Sequence, residues 1–301
     1  MNTFEQWESE IRGYCRLYPT VFKSASNARQ VDEAGKSYID FFAGAGVLNF
    51  GHNNPRMKKA LIRFIEEDGI AHSLDMHTTV KREFIERFAS TILKPRNMNY
   101  KMQFMGPTGT NAVESALKLA RKVTGRRNVV AYAHGFHGMT LDASSGLEAP
   151  AAFLVEAIQA EGGVKVASKE WLQATQALAR ELGALFIIDD IQAGCGRTGR
   201  YFSFDDMGLD PDIVTLAKGI GGFGTPLAMN LVKPEHDRHW SPGEHTGTFR
   251  GQGLSFTAGI EALSYFDDDT LMNEVGEKGA LMKEHLDGIV AASGNGRWQV
   301  R

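Results

Sequence analysis

Two short apolar runs constrain this chain more than anything else in it: LFIID at 185–189, which ends on Asp189, and DIVTL at 212–216, which leads through Ala217 to Lys218. Runs this short and this apolar, bounded by turn residues, read as strands buried on both faces, and such strands build mostly parallel sheets with helices on either side. Ligands of open sheets of this kind bind outside the carboxyl ends of the strands. The two runs therefore deliver a carboxylate and an amine to one region of the fold.

The surrounding pattern agrees with an α/β architecture. NVVAY at 128–132, AFLVE at 152–156 and LAMNLV at 227–232 read as further strands, and helical periodicity marks Pro55–Glu67, Val80–Leu93, Ala112–Val123 and a stretch around Lys169–Leu182. Asn111 and Glu114 resemble a capping box at the start of the third of these helices. Residues 1 to about 50 read as an irregular segment with short strands that wraps the body, with a turn at Asp32–Lys36. Leu254–Phe266 and Thr270–Val290 read as helices leading out of the sheet, and the chain breaks off at Arg301 on what looks like the approach to another strand. The expected organisation is residues 1–50 as the N-terminal part of a small domain, 51–265 as a large cofactor-binding domain, and 266–301 as the start of the C-terminal part of the small domain.

Composition narrows the class of function. A chain of 301 residues, 43% of them hydrophobic, can bury a large core. Its net charge of -3, with Lys58, Lys59 and Arg63 interleaved with Glu66 and Glu67, offers no general attraction to nucleic acid or anionic lipid. No stretch approaches the ~20 apolar residues that span a bilayer, and the N-terminus lacks the apolar run of a secretory signal. Cys15 and Cys195 are the only cysteines, as in a cytoplasmic enzyme with reduced thiols, and no metal site is expected from them.

Within this frame particular residues carry chemistry. An ionised Asp189 at the end of a buried strand needs a cationic partner, and a desolvated Lys218 can lose its proton and attack an aldehyde. Either residue alone has ordinary explanations, a helix cap or an ion pair for the acid and a lysine extending to a sheet edge for the amine. Together they form the lysine-plus-acid pattern of enzymes that use pyridoxal phosphate. Gly106-Pro107-Thr108-Gly109-Thr110-Asn111 opens a helix and can present backbone N–H groups to a phosphate. His134-Gly135-Phe136-His137-Gly138 follows a strand and suits packing against a planar ring. Gly219-Ile220-Gly221-Gly222-Phe223-Gly224 satisfies the glycine fingerprint of dinucleotide binding, but a strand follows it where that fingerprint requires a helix.

The motifs YPTVFKSA, SYIDFFAGAGVLNFGHNNP, MGPTGTNAVESALKLARK, AYAHGFHGMTL and GEHTGTFRG spread over most of the chain, and with them it resembles the class III aminotransferases of the fold type I pyridoxal-phosphate enzymes. The resemblance implies a mostly parallel, seven-stranded-type sheet sandwiched by helices, with a small domain only partly present. It makes Lys218 the lysine that binds the cofactor aldehyde and Asp189 the partner of its ring nitrogen. Ile191 and Phe136 would cover the two ring faces, with His137 nearby and Gln192 at the phenolic oxygen. Gly109 and Thr110 would hold the phosphate, joined by Thr248 from a second subunit of a homodimer or dimer of dimers. Glu156 would belong to the acid network and Glu161 would gate substrate carboxylates. The implied substrates are small amino acids and oxo acids. A non-catalytic regulator that kept the fold is the competing reading, and the joint presence of Lys218 and Asp189 argues against it. Two departures stand out: between His137 and Glu156 the family carries a further strand and loop, so a segment near 141–146 reads as missing, and the C-terminal arginine that pairs with the gating glutamate is absent.

Overall fold

A computed structural model describes residues 3–138, 149–294 and 300. Eleven strands lie among them. β1 (Phe22–Ser26), β2 (Arg29–Asp32) and β3 (Ser37–Ile39) form a small antiparallel sheet. The Asp32 carboxylate closes its turn by accepting the Lys36 N–H at 2.8 Å and the Tyr38 hydroxyl at 2.9 Å, while Gly35 supplies the left-handed residue at φ 85°.

The body of the molecule is a six-stranded sheet made of β4 (Lys101–Gly106), β5 (Val129–Ala131), β6 (Ala152–Val155), β9 (Leu185–Asp189), β10 (Ile213–Leu216) and β11 (Ala228–Val232), with β7 (Ile158–Gln159) and β8 (Lys165–Val166) forming a separate ribbon. The spatial order is β4-β11-β10-β9-β6-β5. β5, β6, β9 and β10 run parallel, and β11 is antiparallel to both its neighbours. The sheet is mostly parallel, as expected, and six of the seven anticipated strands lie among the described residues. The segment near 141–146, expected to be missing a strand, lies outside them.

Burial on both faces follows directly from the strand sequences. Every residue of β6, β9, β10 and β11 is buried. Side chains alternate across a strand, so Leu185 and Ile187 pack with Val113, Ala116, Leu117 and Ala120 of the Gly109–Thr124 helix on one face. Phe186 and Ile188 face the other way, into a core with Phe84, Phe88, Leu172, Phe202 and Phe256. That second core is built by the Thr79–Phe88, Lys169–Glu181 and Gly253–Leu263 helices, the last of which lies against the first and against Pro55–Glu66.

The structure differs from the sequence expectation in two places that bear on the site. The Gly109–Thr124 helix starts earlier than the Asn111/Glu114 box implied: Thr108 is the cap, and Asn111 Oδ1 accepts both the Thr108 N–H (3.2 Å) and its hydroxyl (2.9 Å). Gly109 allows this, because a Cβ there would sit 2.8 Å from Ile191 Cδ1. β4 carries no clear strand signature, since Lys101, Met102 and Gln103 are mixed in polarity and not buried, and only Phe104, Met105 and Gly106 are buried. Pairing with β11 makes it a strand.

Phe84 is almost fully buried among Phe88, Phe104 and Phe256, with ring centroids 5.4 to 6.0 Å away. Phe84→Ala should lower the unfolding free energy by about 3–5 kcal/mol in a urea titration, and a loss below 1 kcal/mol would mean this aromatic cluster does not hold the two helices to the sheet.

Candidate active site

The acid expected from the sequence is where the strand delivers it. Asp189 is the last residue of β9, is 5% exposed, and lies opposite Thr215 in the parallel register with β10. Three donors hold its carboxylate: Oδ1 accepts the Thr215 hydroxyl and the Ile191 N–H, each at 3.2 Å, and Oδ2 accepts His137 Nδ1–H at 2.8 Å. A carboxylate offers about four acceptor positions, so one remains for a further N–H. Thr215 was not anticipated, although a hydroxyl within the apolar run IVTL, one strand away from Asp189, was its available signal.

Around this carboxylate the loops converge. The 134–138 loop after β5 brings His137 to Asp189, and its Phe136 N–H donates to Glu156 Oε2 at 3.1 Å, tying the loop to the end of β6. The Phe136 ring is half-exposed. Ile191 fills the space in front of Gly109, and the Gly138 backbone rests on Thr110, where a Cβ would meet Thr110 Oγ1 at 2.4 Å. Gln192 Nε2 donates to Glu161 Oε1 at 2.9 Å and to the Ala45 carbonyl at 3.3 Å.

Lys218 sits in a left-handed conformation (φ 51°) at the end of β10, partly buried. Among the described residues no hydrogen bond or ion pair holds its Nζ. Burial lowers its pKa and Arg197 adds to this, while the charges of Glu161, Asp189 and Glu156 oppose it, leaving a net depression. An amine that gives up its proton more readily than a free lysine, near a buried, hydrogen-bonded carboxylate with one open acceptor position and helix-start N–H groups at Gly109, fits an aldehyde cofactor with a basic ring nitrogen and a phosphate.

The expected residues Gly109, Thr110, Phe136, His137, Glu156, Glu161, Asp189, Ile191, Gln192 and Lys218 thus gather at the carboxyl ends of the parallel strands. Thr248 stands apart, on a turn against β4, with its carbonyl accepting from His72 Nε2 at 2.7 Å. Sequence reasoning missed Thr215 and Arg197; the resemblance placed Phe42–Asn49 near the pocket, and Asn49 does join the cluster through Cys195 and Arg197. Among the described residues no group of three or more His, Cys, Asp or Glu could hold a metal ion. No helix among them is long and apolar enough to cross a membrane.

Glu156 is pushed up to about 7 by burial and by the charge of Asp189, against the Phe136 N–H and the charges of His137 and Lys218. His137 is drawn down by burial, but the Asp189 hydrogen bond and the charges of Asp189 and Glu156 raise it overall. Both groups bind protons more tightly folded than unfolded. Their contribution is full below the unfolded values, ~4.3 for Glu and ~6.5 for His, and is lost as pH rises through the folded ones. In cofactor-free protein, Glu156→Gln should therefore flatten the fall in melting temperature between pH 5 and pH 8. An unchanged slope would show that Glu156 ionises freely.

Comparison with known proteins accords with this geometry. The family model described as aminotransferase class-III matches residues 13–150 and 146–301, in two pieces that meet where the family's additional strand is expected. A diaminobutyrate–2-oxoglutarate transaminase of Halalkalibacterium halodurans is 49% identical over 336 aligned positions, covering 96% of this chain and 78% of that protein. Among solved structures, the ornithine aminotransferase of Toxoplasma gondii superposes with a TM-score of 0.86 at 27% identity, covering 99% of this chain and 78% of that one. A second structure of that enzyme, at 28% identity and TM-score 0.81 over 94% of this chain and 74% of that one, records partial occupancy of pyridoxal phosphate at its active site. This chain belongs to the class III aminotransferases, with pyridoxal phosphate as cofactor.

Proposed function

We propose that the chain is an ω-aminotransferase that moves the terminal amino group of L-2,4-diaminobutyrate to 2-oxoglutarate, giving L-aspartate 4-semialdehyde and L-glutamate, the amine-transfer step of ectoine biosynthesis, in the cytoplasm. The observation that carries this reading is the 49% identity over nearly the whole chain to a transaminase of that name, on a site that keeps both Lys218 and Asp189.

Pyridoxal phosphate, when bound, supplies an aldehyde to take up the amine and a protonated ring to accept the electron pair left on carbon. The residues of the chain do the rest. Lys218 Nζ, whose hold on a proton burial weakens, takes the proton from the amine-bearing carbon and later returns it, acting as base and then acid. Asp189 is fixed by Thr215, Ile191 and His137, and its remaining acceptor position would hold the cofactor's protonated ring nitrogen. Glu156 braces the Phe136 loop; Phe136 and Ile191 would cover the flat faces of the cofactor, Gln192 would meet its phenolic oxygen, and the N–H groups at Gly109 and Thr110 would receive its phosphate. Glu161, exposed and tied among the described residues to Gln192, stands at the mouth as a movable gate. Residues 51–265 form the cofactor-binding domain, with 1–50 and 266–301 as parts of a smaller one. Thr248 completes the phosphate site of the second subunit in a homodimer or a dimer of dimers.

Adding donors one at a time to protein reconstituted with pyridoxal phosphate should bleach the visible absorbance of the bound cofactor with diaminobutyrate and glutamate. Bleaching with ornithine, acetylornithine or 4-aminobutyrate instead would move the substrate while keeping the chemistry. Lys218→Ala should retain the fold by circular dichroism and lose turnover by at least about 10²–10⁴-fold, the usual contribution of a catalytic acid–base group. Unchanged turnover in that variant would remove Lys218 from the mechanism.

A further inference from the structure

After β9 the chain turns through residues 190–196 and presents Arg197. Two consecutive left-handed residues, Cys195 (φ 56°) and Gly196 (φ 84°), set the direction. Such a conformation strains a non-glycine residue, so the surroundings must hold it. They do: Cys195 is buried, and a Cβ on Gly196 would lie 2.8 Å from Met272 Cε and 3.0 Å from the Phe266 ring.

The turn sends the Arg197 guanidinium back toward Lys218. Its Nη2 donates to Asn49 Oδ1 and lies 3.7 Å from the position of a Gly46 Cβ, which is itself 3.6 Å from Gln192 Nε2. Asn49 in turn donates to the Cys195 carbonyl at 2.9 Å and lies against Gly219, where a Cβ would be 2.6 Å from Asn49 Nδ2. Arg197 is thus one side chain away from the residue that follows Lys218, and it adjoins Gln192.

What this guanidinium lacks is a counter-ion. Arg96 pairs with Asp205, Arg250 with Asp75, Arg180 with Asp210 and Arg200 with Asp206. Among the described residues no carboxylate oxygen comes within 4.0 Å of Arg197, and the acid that shares its neighbourhood, Glu161, is held by Gln192. Arg197 is exposed, and among the described residues Asn49 Oδ1 is the acceptor its guanidinium meets, so the rest of its five N–H donors face solvent and stand open to a ligand, in a fork that matches a carboxylate in two parallel hydrogen bonds.

Resting on the aminotransferase reading above, we propose that Arg197 receives the carboxylate of the amino-acid substrate and so sets the preference for amino acids over plain diamines. Asn49 is the positioning residue that aims it.

The test compares the protein reconstituted with pyridoxal phosphate with its Arg197→Met and Arg197→Lys variants, each checked for fold by circular dichroism and for cofactor by absorbance. Two amines are titrated, 2,4-diaminobutyrate and 1,3-diaminopropane, which is the same diamine without its carboxylate. Calorimetry follows glutarate, a dicarboxylate that cannot react. Arg197→Met should weaken diaminobutyrate and glutarate by about ten- to a hundredfold, the range for a hydrogen-bonded charge, and leave diaminopropane unchanged, with partial recovery in Arg197→Lys. Equal weakening of both amines would overturn the proposal and leave Arg197 as a clamp on Asn49 and the Lys218 turn. Failure of the parent protein to bind glutarate would overturn it as well. If the parent reacts with neither amine, the transaminase reading fails, and the glutarate comparison still decides the role of Arg197.

Discussion

The structure depends on a carboxylate buried at the end of its central strand. Removing an ionised carboxylate from water costs several kcal/mol unless its oxygens are satisfied, and Asp189 meets that requirement with a hydroxyl from the next strand, a backbone N–H from its own turn and an imidazole from a loop two strands away. Each of these donors comes from a different part of the chain. The charge can be buried only once β5, β6, β9 and β10 are aligned, so the same interaction that prepares the chemistry also reports correct assembly of the sheet.

The loops above the sheet are ordered by contacts of the same kind. Glu156 holds the Phe136 backbone, Gln192 bridges Glu161 and the Phe42–Asn49 region through the Ala45 carbonyl, and Asn49 joins that region to Cys195 and Arg197. Close backbone approaches at Gly109, Gly138 and Gly219 let these segments meet around Lys218 with no side chain between them. An amine with no hydrogen-bond partner among the described residues thus lies within reach of the charges of Glu161, Asp189, Glu156 and Arg197, and a site with both signs of charge can handle molecules that carry an ammonium and a carboxylate together.

Reading depth differed from residue to residue, for physical reasons. β9 and β10 are apolar throughout and end on Asp189 and Lys218, so period and polarity alone identify the strands and the two chemical groups. β4 was silent because an edge strand that is half polar carries no periodic signal until β11 pairs with it. The start of the Gly109–Thr124 helix was placed too late because a capping pattern recurs a few residues along and only the packing of Ile191 against Gly109 selects the earlier one.

By itself the sequence determined a mostly parallel sheet covered on both faces, the acid and the lysine at its working end, and, through resemblance, the aminotransferase family. These are properties of local order: which residues are apolar, how often, and what ends each run. Only the tertiary structure decided that Thr215 and His137 share the Asp189 carboxylate, that Lys218 has no hydrogen-bond partner among the described residues, and that Arg197 reaches Asn49 with no carboxylate within 4.0 Å among them. Those relations join residues 26 to 148 positions apart, and contacts at that range leave no periodicity in the chain because they exist only when the strands are side by side.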